Sequence, residues 1–199
     1  MSTPAAKPAQ RRRGADLEAA LLDAAWHELT DTGFAKLTME SVAARAKTGV
    51  AVLYRRWANK DELVLAALRH HRDSHPVELP DTGSLRGDLL AALTGMGQDR
   101  AAFFTTTVSA GLSGLLAGSG LSPAQVRERI FGQQAAERVR TIYERAEHRG
   151  EIDLKRTPPA VLAMPYDLVR HDLFMRLAPV PSERIRAIVD DLFLPLVER

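Results

Sequence analysis

The chain has 199 residues, of which 45% are hydrophobic and 26% charged, with a formal net charge of +2 and no cysteine. That length and apolar content suit one or two globular domains with a real core, and the lack of cysteine excludes disulfides, zinc–thiolate sites and a cysteine nucleophile. No run approaches the roughly 18 uninterrupted apolar residues of a membrane span, and the basic N-terminus lacks the apolar stretch of a signal peptide, so a cytoplasmic protein with no membrane partner is expected.

Residues 1–14 are rich in Ala, Pro and Arg and read as a disordered basic tail. Leu17, Leu21, Ala24, Ala25 and Leu29 then recur at helical spacing, and Gly33 stops the helix. Thr38 is placed to cap a second, short helix carrying Val42, Ala43 and Ala46. After Lys47-Thr48-Gly49 a third short helix is expected to end near Trp57. Asn59 and Glu62 form a capping box that opens a fourth helix, running to about Ser74 before Pro76 ends it.

Pro76, Pro80 and Gly83 mark a linker or sharp turn. Ser84 caps a helix with Leu85, Leu89, Ala92 and Met96, and residues 100–117 form a further apolar helix closed by Gly118-Ser119-Gly120. Ser122, Pro123 and Gln125 open a long amphipathic helix that ends at Gly150. Thr157-Pro158 and Pro181-Ser182 start the last two. The pattern predicts about nine helices and no strands, an all-α fold.

Charge is uneven along this frame. The first 60 residues carry ten Lys/Arg against six Asp/Glu, while the remainder carries 17 against 19. A basic front on a near-neutral body suits a nucleic-acid-binding head. Three helices within residues 16–57, the last two short and joined by a tight turn, form a helix-turn-helix candidate. Ala43 and Ala46 permit close helix crossing, and Val42, Leu53 and Trp57 can anchor it from beneath. Arg45, Lys47, Thr48, Tyr54, Arg55, Arg56 and Lys60 remain to face phosphates. Trp57 reads as a core residue, and Tyr54 as a phosphate contact through its hydroxyl.

The stretch TMESVAARAKTGVAVLYRRWANKDEL, residues 38–63, together with Gly33-Phe34 and Leu37, resembles the DNA-binding head of the TetR family of bacterial repressors. Residues 145–152, RAEHRGEI, resemble the segment that precedes the dimerising helices in many members. The resemblance implies a helix-turn-helix DNA-binding domain at 15–60 and a ligand-binding and dimerisation domain at 61–199. It implies a homodimer that places helix 3 of each head in successive major grooves of a palindromic double-stranded DNA operator, the half-sites about one helical turn, ~34 Å, apart or slightly more. Carried over by position, Thr38, Tyr54 and Lys60 would hold backbone phosphates. Thr48, Gly49, Val50 and Val52 would occupy the base-reading front of helix 3, with Arg55 on its later turn.

The chain departs from the family at the turn. Lys47 stands where glycine is usual, at a cost of roughly 1 kcal/mol or more in a left-handed conformation, so a slightly remodelled turn is expected. The base-facing positions are mostly apolar, which points to readout through thymine methyls, Thr48, Lys47 and DNA shape. Arg11–Arg13 read either as a minor-groove arm or as a solvated tail.

The family's body is a helical ligand sensor, which implies a small apolar or amphipathic effector. Met96, Phe103, Phe104, Met164 and Phe174 are bulky and adaptable pocket candidates, with core packing as the alternative for each. Arg100, Tyr166, Asp167, Arg170 and His171, polar residues at positions that read as buried, are candidates for ligand hydrogen bonds or for core and interface pairing. Leu168, Phe174 and Met175 on one helix, and Ile185, Ile188, Val189, Leu192, Phe193 and Leu196 on the next, give wide apolar faces for a dimer interface, an isologous four-helix bundle. The fourth helix would link DNA to ligand.

No cofactor or metal is expected. His71 and His75 are four apart, but no third ligand has suitable spacing, so the histidines read as a solvated cluster. No nucleophile elbow or phosphate-binding glycine loop is present, so no enzyme is expected. A hydrolase built on a Ser–His pair, and a helical binding or interaction protein without specific DNA binding, stand as alternatives.

Overall fold

The computed structural model describes residues 14–76, 78–131 and 134–197; the basic tail with Arg11–Arg13 lies outside them. Among the described residues all regular structure is helical, as the periodicity predicts. α1 (Ala15–Thr32) ends where Gly33 takes a positive φ of 78° and its N–H reaches back to Leu29. α2 (Met39–Arg45) opens on a reciprocal capping box in which Thr38 and Ser41 each bond the other's backbone N–H. α3 (Val50–Tyr54) is only five residues long, and a turn through Trp57 completes it. α4 (Lys60–Ser74) starts on Asn59, whose side chain accepts from the Glu62 N–H at 2.9 Å. Glu62 itself reaches Arg129 at 3.1 Å instead of closing a capping box.

The body begins with α5 (Leu85–Thr94), capped by Ser84 as expected, and runs through a π-helical turn at Gly95–Asp99. α6 (Ala101–Ala110) is followed by a second π turn at Gly111–Leu115 and by α7 (Leu116–Ser119). The single helix expected over 100–117 is broken because Gly114 leaves helical geometry at φ 121°, a conformation that glycine adopts freely. α8 (Pro123–Phe131) and α9 (Gln134–His148) follow, then α10 (Pro159–Arg176). α11 (Ser182–Ala187), a π turn at Ile188–Phe193 and α12 (Leu194–Val197) complete the described chain.

Ala101–Ser119 is long and apolar enough to cross a membrane by length and composition, with a mean hydropathy of 1.3. Thr105–Thr107, Ser109 and Ser113 interrupt its apolar character, which is why no unbroken run of that length stands in the sequence. α6 packs on α1 and α10, and α7 on α4.

Two apolar cores organise the molecule. The first joins α1–α4 to Phe103, Ala110, Leu115, Val126 and Ile130 from the body. α4 is its axis: Leu63, Val64, Leu65, Ala67 and Leu68 are at most 1% exposed, between α1 on one side and α8 on the other. Each fully buried Leu or Val there contributes about 1.5–3 kcal/mol, so α4 is held firmly by both head and body. The second core joins α5, α9, α10, α11 and α12 around Leu89, Leu93, Tyr143, Val169, Ile188 and Phe193.

Candidate nucleic-acid interface

The turn between α2 and α3 keeps the left-handed geometry in spite of its lysine. Lys47 has φ 54°, its N–H bonds the Ala44 carbonyl at 3.1 Å, and the Thr48 N–H bonds the Ala43 carbonyl at 3.0 Å. This pair of bonds is the Schellman closure that glycine normally completes. The backbone is therefore not remodelled and itself carries the left-handed strain, and Lys47 is exposed at the corner of the motif.

Thr38, Tyr54, Asn59 and Lys60 line one shallow groove where the starts of α2 and α4 meet the end of α3. The three residues expected to hold phosphate are thus neighbours, although they are separated in sequence. Tyr54 is 51% exposed, whereas Trp57 is buried at 8%, which places the tyrosine outside the core and the tryptophan within it. Lys60 is tethered: its ammonium donates to the carbonyls of Phe34 at 3.1 Å and Leu37 at 3.4 Å and lies 4.4 Å from the Phe34 ring centre. Those bonds fix the α1–α2 connection and leave one donor. Exposed Glu40 lines the same groove and opposes an anion there.

Other head residues fall differently from their sequence reading. Arg45 folds back on α1, with Nε 2.7 Å from Glu28 and a terminal nitrogen 2.8 Å from Asp31. Glu28 is buried at 8%, so Arg45 neutralises a carboxylate inside the head and is not a free cation. Val50 and Val52 are half-buried against the first core. The outward face of α3 is instead Gly49, Ala51, Tyr54 and Arg55, with Thr48 half-buried at its foot. Sequence reasoning omitted Ala51, although its spacing from Tyr54 and Arg55 marks the same face. Arg56 is exposed and turns back to the Val52 carbonyl at 3.0 Å.

The effector candidates separate into three places. Met96, Phe104 and Met164 are half-buried against the second core, where Tyr166 is buried. Phe103 belongs to the first core, with its ring 5.7 Å from Trp26 and 5.6 Å from His71. Arg100 donates to the carbonyls of Arg72 at 3.2 Å and His75 at 2.5 Å, closing the end of α4. Asp167, Arg170 and His171 are exposed, not buried, and Asp167 pairs with Arg170. Phe174 is 48% exposed.

The apolar faces expected at a dimer interface also divide. Ile185, Ile188, Val189 and Phe193 are at most 1% exposed within the subunit's own core. Met175, Leu192 and Leu196 are exposed at 65%, 41% and 55%, together with Phe174 and Leu177, and Leu168 is half-buried. Leu177 escapes sequence reasoning because it follows the last turn of α10.

Of the histidines, His75 is exposed as expected, whereas His71 is half-buried. His71 stacks on Trp26 at 3.8 Å and meets His75 at 4.2 Å. Burial first, then His75 and Arg100, lowers its pKa from 6.5 to about 4.

A pair of short helices with exposed cations, set on a helical body by a deeply buried linking helix, defines a helix-turn-helix DNA-binding regulator. Residues 21–67 match the family described as bacterial regulatory proteins, tetR family, and residues 79–192 match the tetracyclin repressor-like C-terminal domain. The chain belongs to the TetR family of transcriptional regulators. It is similar to the DNA-binding transcriptional repressor TetR of Mycobacteroides abscessus, 46% identical over 81 residues, a match that covers 41% of this chain and 43% of that protein. An HTH-type transcriptional regulator of Mycobacterium bovis is 30% identical over 190 residues, covering 92% of this chain and 88% of the other. The crystal structure of a TetR family transcription regulator superposes with a TM-score of 0.56 at 26% identity, over 89% of this chain and 97% of that one.

Proposed function

We infer that this chain is a cytoplasmic, ligand-responsive repressor that binds a palindromic operator as a homodimer. The observation that carries the reading is the groove shared by Thr38, Tyr54 and Lys60, with Arg55 exposed next to Tyr54 in the chain and Lys47 exposed at the separate α2–α3 corner. The cluster offers hydroxyl and ammonium donors to the DNA backbone on both sides of a short helix whose small outer residues, Gly49 and Ala51, allow close approach to base edges. Phe174, Met175, Leu177, Leu192 and Leu196 support the dimer, because exposed apolar clusters of this kind mark interfaces. Arg45 enters as a positioning residue through Glu28 and Asp31.

Coupling runs through α4. The body grips it at both ends: Arg129 meets Glu62 near its start, and Arg72 bonds the Ile130 carbonyl while Arg100 closes its last turn. An effector that favours one setting of α6 and α8 therefore tilts α4 and changes the separation of the heads, shifting the population between operator-binding and released states.

Selection of bound sequences from random duplexes tests this reading. The expected product is an inverted repeat with half-sites about 34 Å apart or slightly more. Enrichment of no sequence, or of single asymmetric sites, overturns it.

A further inference from the structure

The second core contains one polar atom with no counterpart. The Tyr166 hydroxyl is buried and has no hydrogen-bond partner, the sole such side-chain atom among the described residues. Its polar neighbours are all served. Buried Asp88 accepts from the Thr82 N–H at 2.6 Å and the Thr82 hydroxyl at 2.8 Å, and pairs with Arg149 at 3.2 Å. The Tyr143 hydroxyl donates to the Leu162 carbonyl at 2.7 Å. A phenylalanine would fill the ring's place without leaving a donor stranded, so packing alone does not account for a tyrosine.

The core around it is apolar and adaptable. Met96, Phe104 and Met164 pack half-buried against the same core, and methionine side chains yield readily to a guest. Pro165, inside α10 and preceding Tyr166 in the chain, has no N–H to give the Val161 carbonyl, so the helix ladder is interrupted one residue before the tyrosine. Burial first and the Asp88 carboxylate second push the Tyr166 phenol above its ordinary pKa. The group is therefore a neutral donor, in a place where a second carboxylate would be opposed by Asp88.

We propose that the Tyr166 hydroxyl is the polar anchor of the effector site, and that the effector is a neutral, mainly apolar molecule carrying one strong hydrogen-bond acceptor, such as a ketone, ester or lactone. This rests on the ligand-responsive reading above and narrows its chemical class. Fatty carboxylates are excluded by the uncompensated charge they would bring beside Asp88, and plain hydrocarbons leave the donor stranded.

Calorimetric titration of the full-length dimer with four ten-carbon probes tests the assignment: 2-decanone, decane, decanoate and decylamine. The ketone is expected to bind about ten-fold tighter than decane or decanoate, the worth of one buried hydrogen bond. Tyr166→Phe is expected to bring the ketone to the level of decane while leaving decane binding unchanged, with a melting temperature equal to or above that of the parent. The carbon-13 carbonyl resonance of 2-decanone labelled at C2 should move downfield on binding to the parent chain, and this readout survives if the variant fails to fold. Equal binding of ketone and decane, tighter binding of decanoate or decylamine, an unshifted carbonyl resonance, or an unaltered ketone affinity in Tyr166→Phe overturns the assignment and leaves ligand response standing. If none of the four probes binds, the assignment and the ligand-responsive reading fall together, whereas operator selection still reports on DNA binding alone.

Discussion

Lys47→Gly tests whether the strained corner of the helix-turn-helix serves DNA. Lys47 holds φ 54° at the position that closes the Schellman motif. A left-handed L-residue costs about 1–2 kcal/mol, which glycine escapes. Glycine also releases about 0.5–1 kcal/mol of additional freedom to the unfolded chain. The net stabilisation is roughly 0.5–1 kcal/mol, or ~1–4 °C in melting temperature for a chain of this size. The same change removes one exposed cation per head, which lowers the salt slope of operator binding by about 0.9 for each phosphate left without its cation. The variant should thus be more stable and bind DNA more weakly, a pair of opposite signs that no general loosening produces. Lys47→Ala serves as the control: it loses the charge but keeps a side chain at positive φ, so binding falls without the stability gain. Thermal unfolding by circular dichroism, combined with fluorescence anisotropy on a selected duplex at several salt concentrations, measures both. A lower melting temperature for Lys47→Gly, or an unchanged salt slope, refutes the reasoning.

Other substitutions probe the remaining parts. Arg45→Ala strands the buried Glu28 carboxylate and should cost about 1–3 kcal/mol in denaturant unfolding, while Arg45→Met with Glu28→Gln recovers most of it and the salt slope of DNA binding stays unchanged. Glu40→Gln removes the acid from the phosphate groove and should tighten operator binding by roughly two- to five-fold, read by anisotropy. His71 is kept neutral in the fold, its pKa lowered from 6.5 to about 4, so the unfolded chain binds more protons between those values and stability falls as pH drops through that window. The shift corresponds to about 3 kcal/mol at full strength, reduced to about 1 kcal/mol by solvent around a half-exposed ring; His71→Phe should flatten that part of the pH–stability curve. Leu192→Glu with Leu196→Glu places charge on the exposed apolar face of the last helices and should convert a dimer to monomers by light scattering, with far-ultraviolet helicity retained.

Local signals in the sequence translated directly into structure. Thr38, Asn59 and Ser84 cap their helices, and Ser122 with Gln125 bond reciprocally at the start of α8, because a cap is decided within three or four residues. The turn at Lys47 was not readable in this way: a lysine in place of glycine pointed to a remodelled turn, whereas the backbone keeps its left-handed closure. What the sequence hid were partners at long separation. Arg45 finds Glu28 17 residues back, Lys60 finds the Phe34 carbonyl 26 back, and Arg100 finds the Arg72 carbonyl 28 back. A lone basic residue reads as solvated until its partner is brought to it by the fold. Periodicity likewise marks an apolar face without saying which part the subunit keeps: Ile188 and Val189 are buried within it, while Leu192 and Leu196, about one and two turns further on, stay exposed. The interrupted helix at Gly114 left no periodic trace, since glycine and serine fit either conformation.

The most direct measurement is the salt dependence of operator affinity for the parent chain and for Arg55→Ala. A cationic three-helix tip that docks on DNA predicts a straight line of log affinity against log salt, with a steep negative slope that becomes shallower by about 0.9 for every phosphate the variant no longer neutralises. A flat line for the parent, or one whose slope Arg55→Ala leaves untouched, would contradict the docking surface assigned to α3.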